Sequence, residues 1–280
     1  VSRTRMRAVP TRCIMPSGFG PQPRMSIVIP AYNEESRIER TLREITFYCR
    51  GRREPFEVIV VDDGSRDGTV ERVRSLTREL REIRLIRVPQ RFGKGFAVRT
   101  GVLNARGGNV LFADADGATP IADVARLEEM ILAGADIAIG SRSMRSGEVR
   151  VDGRTHRRIM DRVFHALVSI VAVRGFQDTQ CGFKLMRADV ARDLFSRTRI
   201  DGFSFDVELL LMAVHRGYRV REVAVNWTHR PGSRFNPVVD SLRMVADVFL
   251  IRSHAMRGYH DQPVMELTEA GSRAQSLPQS

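Results

Sequence analysis

Residues 56–65 read Phe-Glu-Val-Ile-Val-Val-Asp-Asp-Gly-Ser. An almost unbroken apolar run gives way at once to two carboxylates and a turn pair. This is the pattern of a strand buried on both faces that ends at a polar edge. Such a strand needs helices over both faces, and the flanking sequence supplies them. Upstream, 25–30 is a second apolar run stopped by Pro30. It is followed by Ile38, Leu42, Ile45 and Cys49 at helical spacing, behind Asn33, Glu34 and Glu35, which suit a helix N-terminus. Downstream, Asp67-Gly68-Thr69 opens a helix carrying Val70, Val73 and Leu80, and 83–88 alternates as a third strand. Gly93-Lys94-Gly95 opens a further helix through Ala97, Val98, Gly101, Val102 and Ala105. A fourth strand at 109–113 ends in Asp114-Ala115-Asp116. A helix over 121–132 and a strand over 136–140 ending in Ser141-Arg142 complete this half. The alternation predicts an α/β fold with a mostly parallel central sheet, whose ligands bind at the carboxyl edge of the strands.

After Arg142 the pattern changes. Residues 143–158 form a polar, Arg-rich loop, and Ile159, Val163, Leu167 and Ile170 mark a long helix. A short strand is expected over 181–186, a helix over 206–215, an alternating strand over 218–227 and an amphipathic helix over 237–252. We read one α/β domain over 25–236 and a C-terminal helix over 237–256. A basic extension (1–24) and a polar tail (257–280) flank them, both expected to be disordered.

Composition narrows the function classes. The 280 residues are 42% hydrophobic, enough for a full core. Lys and Arg number 45 against 33 Asp and Glu, a net charge of +12 that attracts phosphorylated substrates, anionic lipid or nucleic acid. Arginine supplies most of that charge, and its planar fork suits phosphate. Aromatic residues are only 7% and are not interleaved with basic ones, which sets the chain apart from nucleic-acid stacking surfaces. Cys13, Cys49 and Cys181 are scattered, arguing against a disulfide framework or zinc site and for a reducing compartment. No apolar run reaches the ~18–20 residues that span a bilayer, and 1–24 has no signal-peptide core. The expected location is cytoplasmic, with peripheral contact to an anionic membrane through the 237–252 helix; a homodimer is also admitted.

Two carboxylates at a buried strand's mouth, Asp114 and Asp116, are hard oxygen ligands of the kind Mg²⁺ or Mn²⁺ takes together with substrate phosphates. Asp62 and Asp63 end the neighbouring strand, where one carboxylate can bond a nucleobase or ribose and the other can form the Asp-Gly-Ser turn. Gly93-Lys94-Gly95 lacks the spacing of a P-loop, yet its helix N-terminus and Lys94 suit a phosphate.

Taken in order, Ile29-Pro30-Ala31-Tyr32-Asn33-Glu34-Glu35, Val60-Val61-Asp62-Asp63-Gly64-Ser65, Gly93-Lys94-Gly95, 114–119 (Asp-Ala-Asp-Gly-Ala-Thr) and Gly140-Ser141-Arg142 resemble glycosyltransferase family 2, of the GT-A fold. Asp178-Thr179-Gln180-Cys181-Gly182-Phe183-Lys184, Phe205-Asp206-Val207-Glu208 and Trp227 with Gly232-Ser233-Arg234 are similar to its dolichyl-phosphate β-glucosyltransferase branch, sister to the mannose synthases. Ala118 stands where the mannose synthases have Gln, which favours the glucosyl branch.

The resemblance implies that Pro30, Tyr32, Glu34, Asp62, Asp63, Lys94, Asp114 and Ala115 bind the nucleotide-sugar donor. Asp116, with Asp114, would hold the divalent metal, Mg²⁺ or Mn²⁺. Arg142, Arg157, Lys184, Ser233 and Arg234 would surround the acceptor phosphate, Arg142 also assisting catalysis. Asp206 and Glu208 would orient the acceptor, act as base, or hold an arginine. The implied reaction is inverting transfer of a hexose, glucose from UDP-glucose, to a polyprenyl or dolichyl phosphate. The alternatives are a soluble phosphorylated or hydroxylated acceptor, or GDP-mannose as donor.

Overall fold

The computed structural model describes residues 22–144, 151–152, 175–230 and 239–261. Its main sheet has seven strands in the order β3-β2-β1-β4-β7-β5-β8: β1 Met25–Ala31, β2 Phe56–Asp63, β3 Ile83–Val88, β4 Asn109–Ala113, β5 Ile137–Ser141, β7 Phe183–Arg187 and β8 Val220–Ala224. A parallel pair of two-residue strands, β6 Val151–Asp152 and β9 Trp227–Thr228, lies apart from it. All pairings in the main sheet are parallel except those of β7, which runs antiparallel to both β4 and β5. The helices are α1 Ile38–Gly51, α2 Thr69–Glu79, α3 Lys94–Leu103, α4 Val124–Leu132, α5 Ala188–Phe195, α6 Phe205–His215 and α7 Val239–Met256.

Strand alternation divides the core in two, because successive side chains point to opposite faces. Val28, Ile59, Val61 and Phe112 face α3, α5 and α6. Ile27, Ile29, Val58, Val60 and Leu111 face α1, α2 and α4. Those nine side chains are fully buried, and burying each contributes roughly 1.5–3 kcal/mol. The continuous apolar run at 56–61 is thus a strand covered on both sides, as its composition requires.

The expected elements appear with local differences. The helix at 121–132 opens with a 3-10 turn, Ile121–Asp123, after Pro120. The strand expected over 218–227 is split, because the Asp123 carboxylate accepts bonds from the Asn226 backbone amide and side-chain amide and turns the chain there. The C-terminal helix extends to Met256 and is not cleanly amphipathic: Met244, Val248 and Ile251 are buried, while Phe249, Leu250 and Met256 are exposed on its remaining surface. Among the described residues no helix is long and apolar enough to cross a membrane. The helix expected around Ile159–Ile170, residues 1–21 and 262–280 of the two extensions, and Arg157, Ser233 and Arg234 lie outside the described residues. The start of the tail departs from the expected disorder: 257–261 fold back after the last helix into a turn with a 3-10 segment at Tyr259–Asp261.

Candidate active site

Strand β1 is bonded to β2 on one side and β4 on the other, so chain order reverses between β1 and β4. A crevice opens outside the carboxyl ends of strands at such a point. Here it is a cleft of about 150 Å³. β1 leads into Pro30, Tyr32 and Glu34, β2 ends in Asp63, α3 begins with Lys94, and β4 runs into Asp114, Ala115 and Asp116; all eight line the cleft.

Each side chain is held. The Arg91 guanidinium sits 4.2 Å from the Tyr32 ring centroid, a cation–π contact between two residues of the cleft wall. Arg37 donates two bonds of 2.7 Å to the Glu34 carboxylate. Burial raises the Glu34 carboxyl above its ordinary value, against the opposing pull of Arg37. Asp63 accepts the backbone amides of Phe92 and Gly93 at 2.8 Å each, so it fixes the turn that delivers Lys94. Burial raises its carboxyl too, outweighing those amides. Asp62 departs from the expectation of donor binding. It is buried, lies outside the cleft lining, and takes the Ser65 amide as the acceptor of the Asp-Gly-Ser turn.

Lys94 Nζ lies 2.6 Å from Asp114 Oδ1. Burial works against its charge, but Asp114 and Asp206 more than compensate and hold the ammonium above its ordinary range. The Asp116 carboxylate accepts the Ala118 amide at 2.9 Å, which orients it. Burial, then the charge of Asp114, pushes the Asp116 carboxyl up. Two crowded hard-oxygen ligands with excess negative charge fit a divalent cation that completes its shell with phosphate oxygens. Asp114 and Asp116 are the residues that would hold it.

Asp114 also borders a second, smaller cavity, lined by Ala118, Thr119, Arg142, Gly182, Phe183 and Trp227. The Asp114 amide donates to the Gly182 carbonyl, and Gly182 packs so closely that a Cβ there would meet Asp114 Oδ2 at 2.0 Å. Arg142 is clamped by Asp178 through Nε at 2.7 Å, Nη2 at 2.9 Å and its own backbone amide at 3.0 Å. Its guanidinium carbon stands 5.8 Å from the Trp227 ring centroid. Burial alone would raise the Asp178 carboxyl; Arg142 more than offsets this and lowers it to about 2.

Three further expectations are corrected. Lys184 does not reach an acceptor phosphate: it points into the core from central strand β7, fully buried, and donates to the Cys181 carbonyl at 2.6 Å and Asp206 Oδ1 at 2.5 Å. Asp206 is equally buried and holds this lysine, not an arginine. Burial raises its carboxyl against the pull of Lys184 and Lys94. Glu208 lies away from both cavities, accepting the amides of Arg199 and Ile200 and facing His260. Neither acid is placed to act as a base.

The sequence reading missed Arg37, Arg91 and Phe203 in the cleft and gave no role to Asp178 or Trp227. Asp178 opens the Asp178–Lys184 motif and Trp227 precedes Gly232-Ser233-Arg234. Arg91, two residues before Gly93, was within reach of the same reasoning. Nothing local marked Phe203.

An α/β sheet with an acid pair and a lysine at its switch point, and an anchored arginine across one shared aspartate, defines a GT-A-type nucleotide-sugar transferase. The profile of glycosyl transferase family 2 matches residues 26–195, and the chain belongs to that family. Similar proteins include the dolichyl-phosphate beta-glucosyltransferase of Drosophila melanogaster, 39% identical over 82% of this chain and 75% of the relative. The Homo sapiens enzyme of the same name is 37% identical over 85% and 78%, and the Saccharomyces cerevisiae enzyme 35% over 84% and 76%. Among solved structures, glucosyl-3-phosphoglycerate synthase from Mycobacterium tuberculosis, crystallised with Mn²⁺, UDP-glucose and phosphoglyceric acid, shares the fold with a TM-score of 0.61. It is 22% identical over 87% of this chain and 81% of that one.

Proposed function

We propose that this glycosyltransferase moves glucose from UDP-glucose to the phosphate of a dolichyl or other polyprenyl phosphate, inverting the anomeric centre. The observation that carries this reading is Asp114, which lines both cavities, so that a donor in the larger and an acceptor phosphate in the smaller would meet beside it. The names of the relatives supply the sugar and acceptor class.

In this arrangement the uracil and ribose lie toward Tyr32 and Asp63, and the diphosphate toward Lys94 and the acid pair. A Mg²⁺ or Mn²⁺ ion on Asp114 and Asp116 supplies charge neutralisation for the departing diphosphate when bound. Lys94 adds a fixed positive charge on the same side. Arg142 is held in one orientation by Asp178 and so presents its charge without reorganisation cost, the condition under which such groups stabilise a transition state. Arg157, Ser233 and Arg234 are assigned to the acceptor phosphate by family resemblance alone. A phosphate monoester is largely ionised at neutral pH, so no general base is needed. That is consistent with the burial of Asp206 and Glu208.

The test is a donor screen of UDP-glucose, GDP-mannose and UDP-N-acetylglucosamine, with a short polyprenyl phosphate and either metal. Glucose transfer giving a β-linked product is expected. Faster mannose transfer, or an α-linked product, would refute the reading.

A further inference from the structure

On the far side of α6 from the cleft, the chain folds back after α7 into a short 3-10 turn, Tyr259–Asp261. This brings two histidines, His254 on α7 and His260 in the turn, onto the buried carboxylate of Glu208. We infer that Glu208, His254 and His260 form a binding site for a borderline transition-metal dication of the Zn²⁺ class, separate from the donor site and independent of the proposed transferase chemistry.

The geometry is that of a converging ligand set. One ligating atom from each residue lies within 4.8 Å of the other two. His260 Nε2 stands 2.9 Å from a Glu208 oxygen, near the roughly 3.3 Å edge of a tetrahedron with bonds of about 2.0 Å. The two imidazoles meet edge to face, 6.0 Å between centroids and 78° between planes, so their nitrogens can aim at one point without stacking. Two imidazoles and one carboxylate form a donor set that suits Zn²⁺ and its neighbours, unlike the all-oxygen pair at Asp114 and Asp116.

The surroundings prepare the site. Glu208 is fixed by the backbone amides of Arg199 and Ile200 at 2.9–3.1 Å, the outer-shell support that orients a metal-binding carboxylate.

An ion there would staple the C-terminal helix to the wall of the active site. The segment whose amides Glu208 holds continues into Asp201, whose carbonyl accepts the amides of Gly95 and Phe96 at the start of α3, next to Lys94. Arg99 ties the same segment to α3 through the Thr198 carbonyl and Asp201.

The test is titration of the chelator-treated Asp116→Asn chain, in which the donor-site acid pair is impaired, with Co²⁺ and Zn²⁺. One equivalent of Co²⁺ should give the intense visible absorption of a four-coordinate site, and Zn²⁺ should displace it and raise the melting temperature. His254→Gln leaves the Glu208–His260 hydrogen bond in place. It should weaken binding by more than about tenfold, the loss that even an outer-shell residue can produce, and should abolish the Zn²⁺ effect on melting; His260→Asn should do the same. Full-strength binding in a folded His254→Gln chain, or no saturable Co²⁺ site in the parent, would overturn the proposal and leave the three residues as a hydrogen-bonded lock.

Discussion

Arg142 is gripped on three sides by one carboxylate: Asp178 takes its Nε, its Nη2 and its backbone amide. Glu222 in turn accepts the amides of Gln177 and Asp178, so the carboxylate itself cannot drift. The pair therefore works as a rigid bracket beside Trp227. Asp178→Asn keeps the shape but loses the charge and part of the fork. We expect a fall in kcat of about tenfold to a hundredfold with little change in UDP binding, as befits a group that acts through Arg142 on the side away from the nucleotide. A rise in the Kd for UDP with kcat unaltered would contradict this.

The same bracket carries an acid signature. Its carboxyl lies at about 2 against an ordinary 3.8, and a lowered carboxyl stabilises the fold above its unfolded value. That stability, roughly 2 kcal/mol, should be intact at neutral pH and disappear as pH falls from about 4 to about 2. Urea unfolding of the parent and Asp178→Asn should therefore differ at neutral pH and converge in acid. A constant difference across that window would show that the pair is not the source.

Gly182 and Asp114 offer a sharper steric test. A methyl group at 182 would lie 2.0 Å from Asp114 Oδ2 and 2.3 Å from its carboxyl carbon, forcing the carboxylate out of both cavities. Displacements near 1 Å can cost about a hundredfold in rate, and Gly182→Ala should lose at least that much. Gly51→Ala, where nothing lies within 4 Å of the added methyl, should leave turnover unchanged. Near-normal activity of Gly182→Ala would mean that Asp114 is not where the reactants meet.

What the sequence made legible was whatever chemistry is local. Strand ends followed directly by Asp63 or by Asp114 and Asp116 are visible because the apolar run and the acids are contiguous, and the doubly covered sheet fixes which edge they share. What it concealed depends on contacts between distant segments. Lys184 looks like a phosphate ligand by charge type alone, but it sits between Phe183 and Leu185 on a strand flanked by β4 and β5, where a charged side chain must find an internal partner. Asp206 and Glu208 are two positions apart on a helix, and such residues do not face one another; Asp206 turns to Lys184 and Glu208 to the opposite side. Phe203 enters the cleft from a segment with no motif of its own.

The buried Lys184–Asp206 pair should behave as a unit. Removing one charge strands the other, which costs about 3–5 kcal/mol, whereas replacing both by apolar groups is often neutral. Asp206→Asn is accordingly expected to lower the urea midpoint severely, and the Lys184→Met, Asp206→Leu double variant to recover most of the loss. If the double variant were as unstable as the sum of the single ones, the two would not be partners.

Metal binding at the acid pair should be unusually sensitive to acid. Burial and the neighbouring Asp114 charge hold the Asp116 carboxyl above its ordinary 3.8, so a proton competes for this ligand at a higher pH than it would for an exposed aspartate. Mn²⁺ affinity, read from the free-ion electron paramagnetic resonance signal, should then begin to decline while ordinary carboxylates are still ionised, and fall steadily with pH. The ion favours the ionised form, so UDP, by adding phosphate oxygens to the shell and tightening the metal, should shift the decline to lower pH. Asp116→Asn should bind weakly at every pH and show no such titration. A Mn²⁺ affinity that stays flat down to the ordinary aspartate range would mean that Asp116 does not ligate the ion, even though its carboxylate lines the cleft.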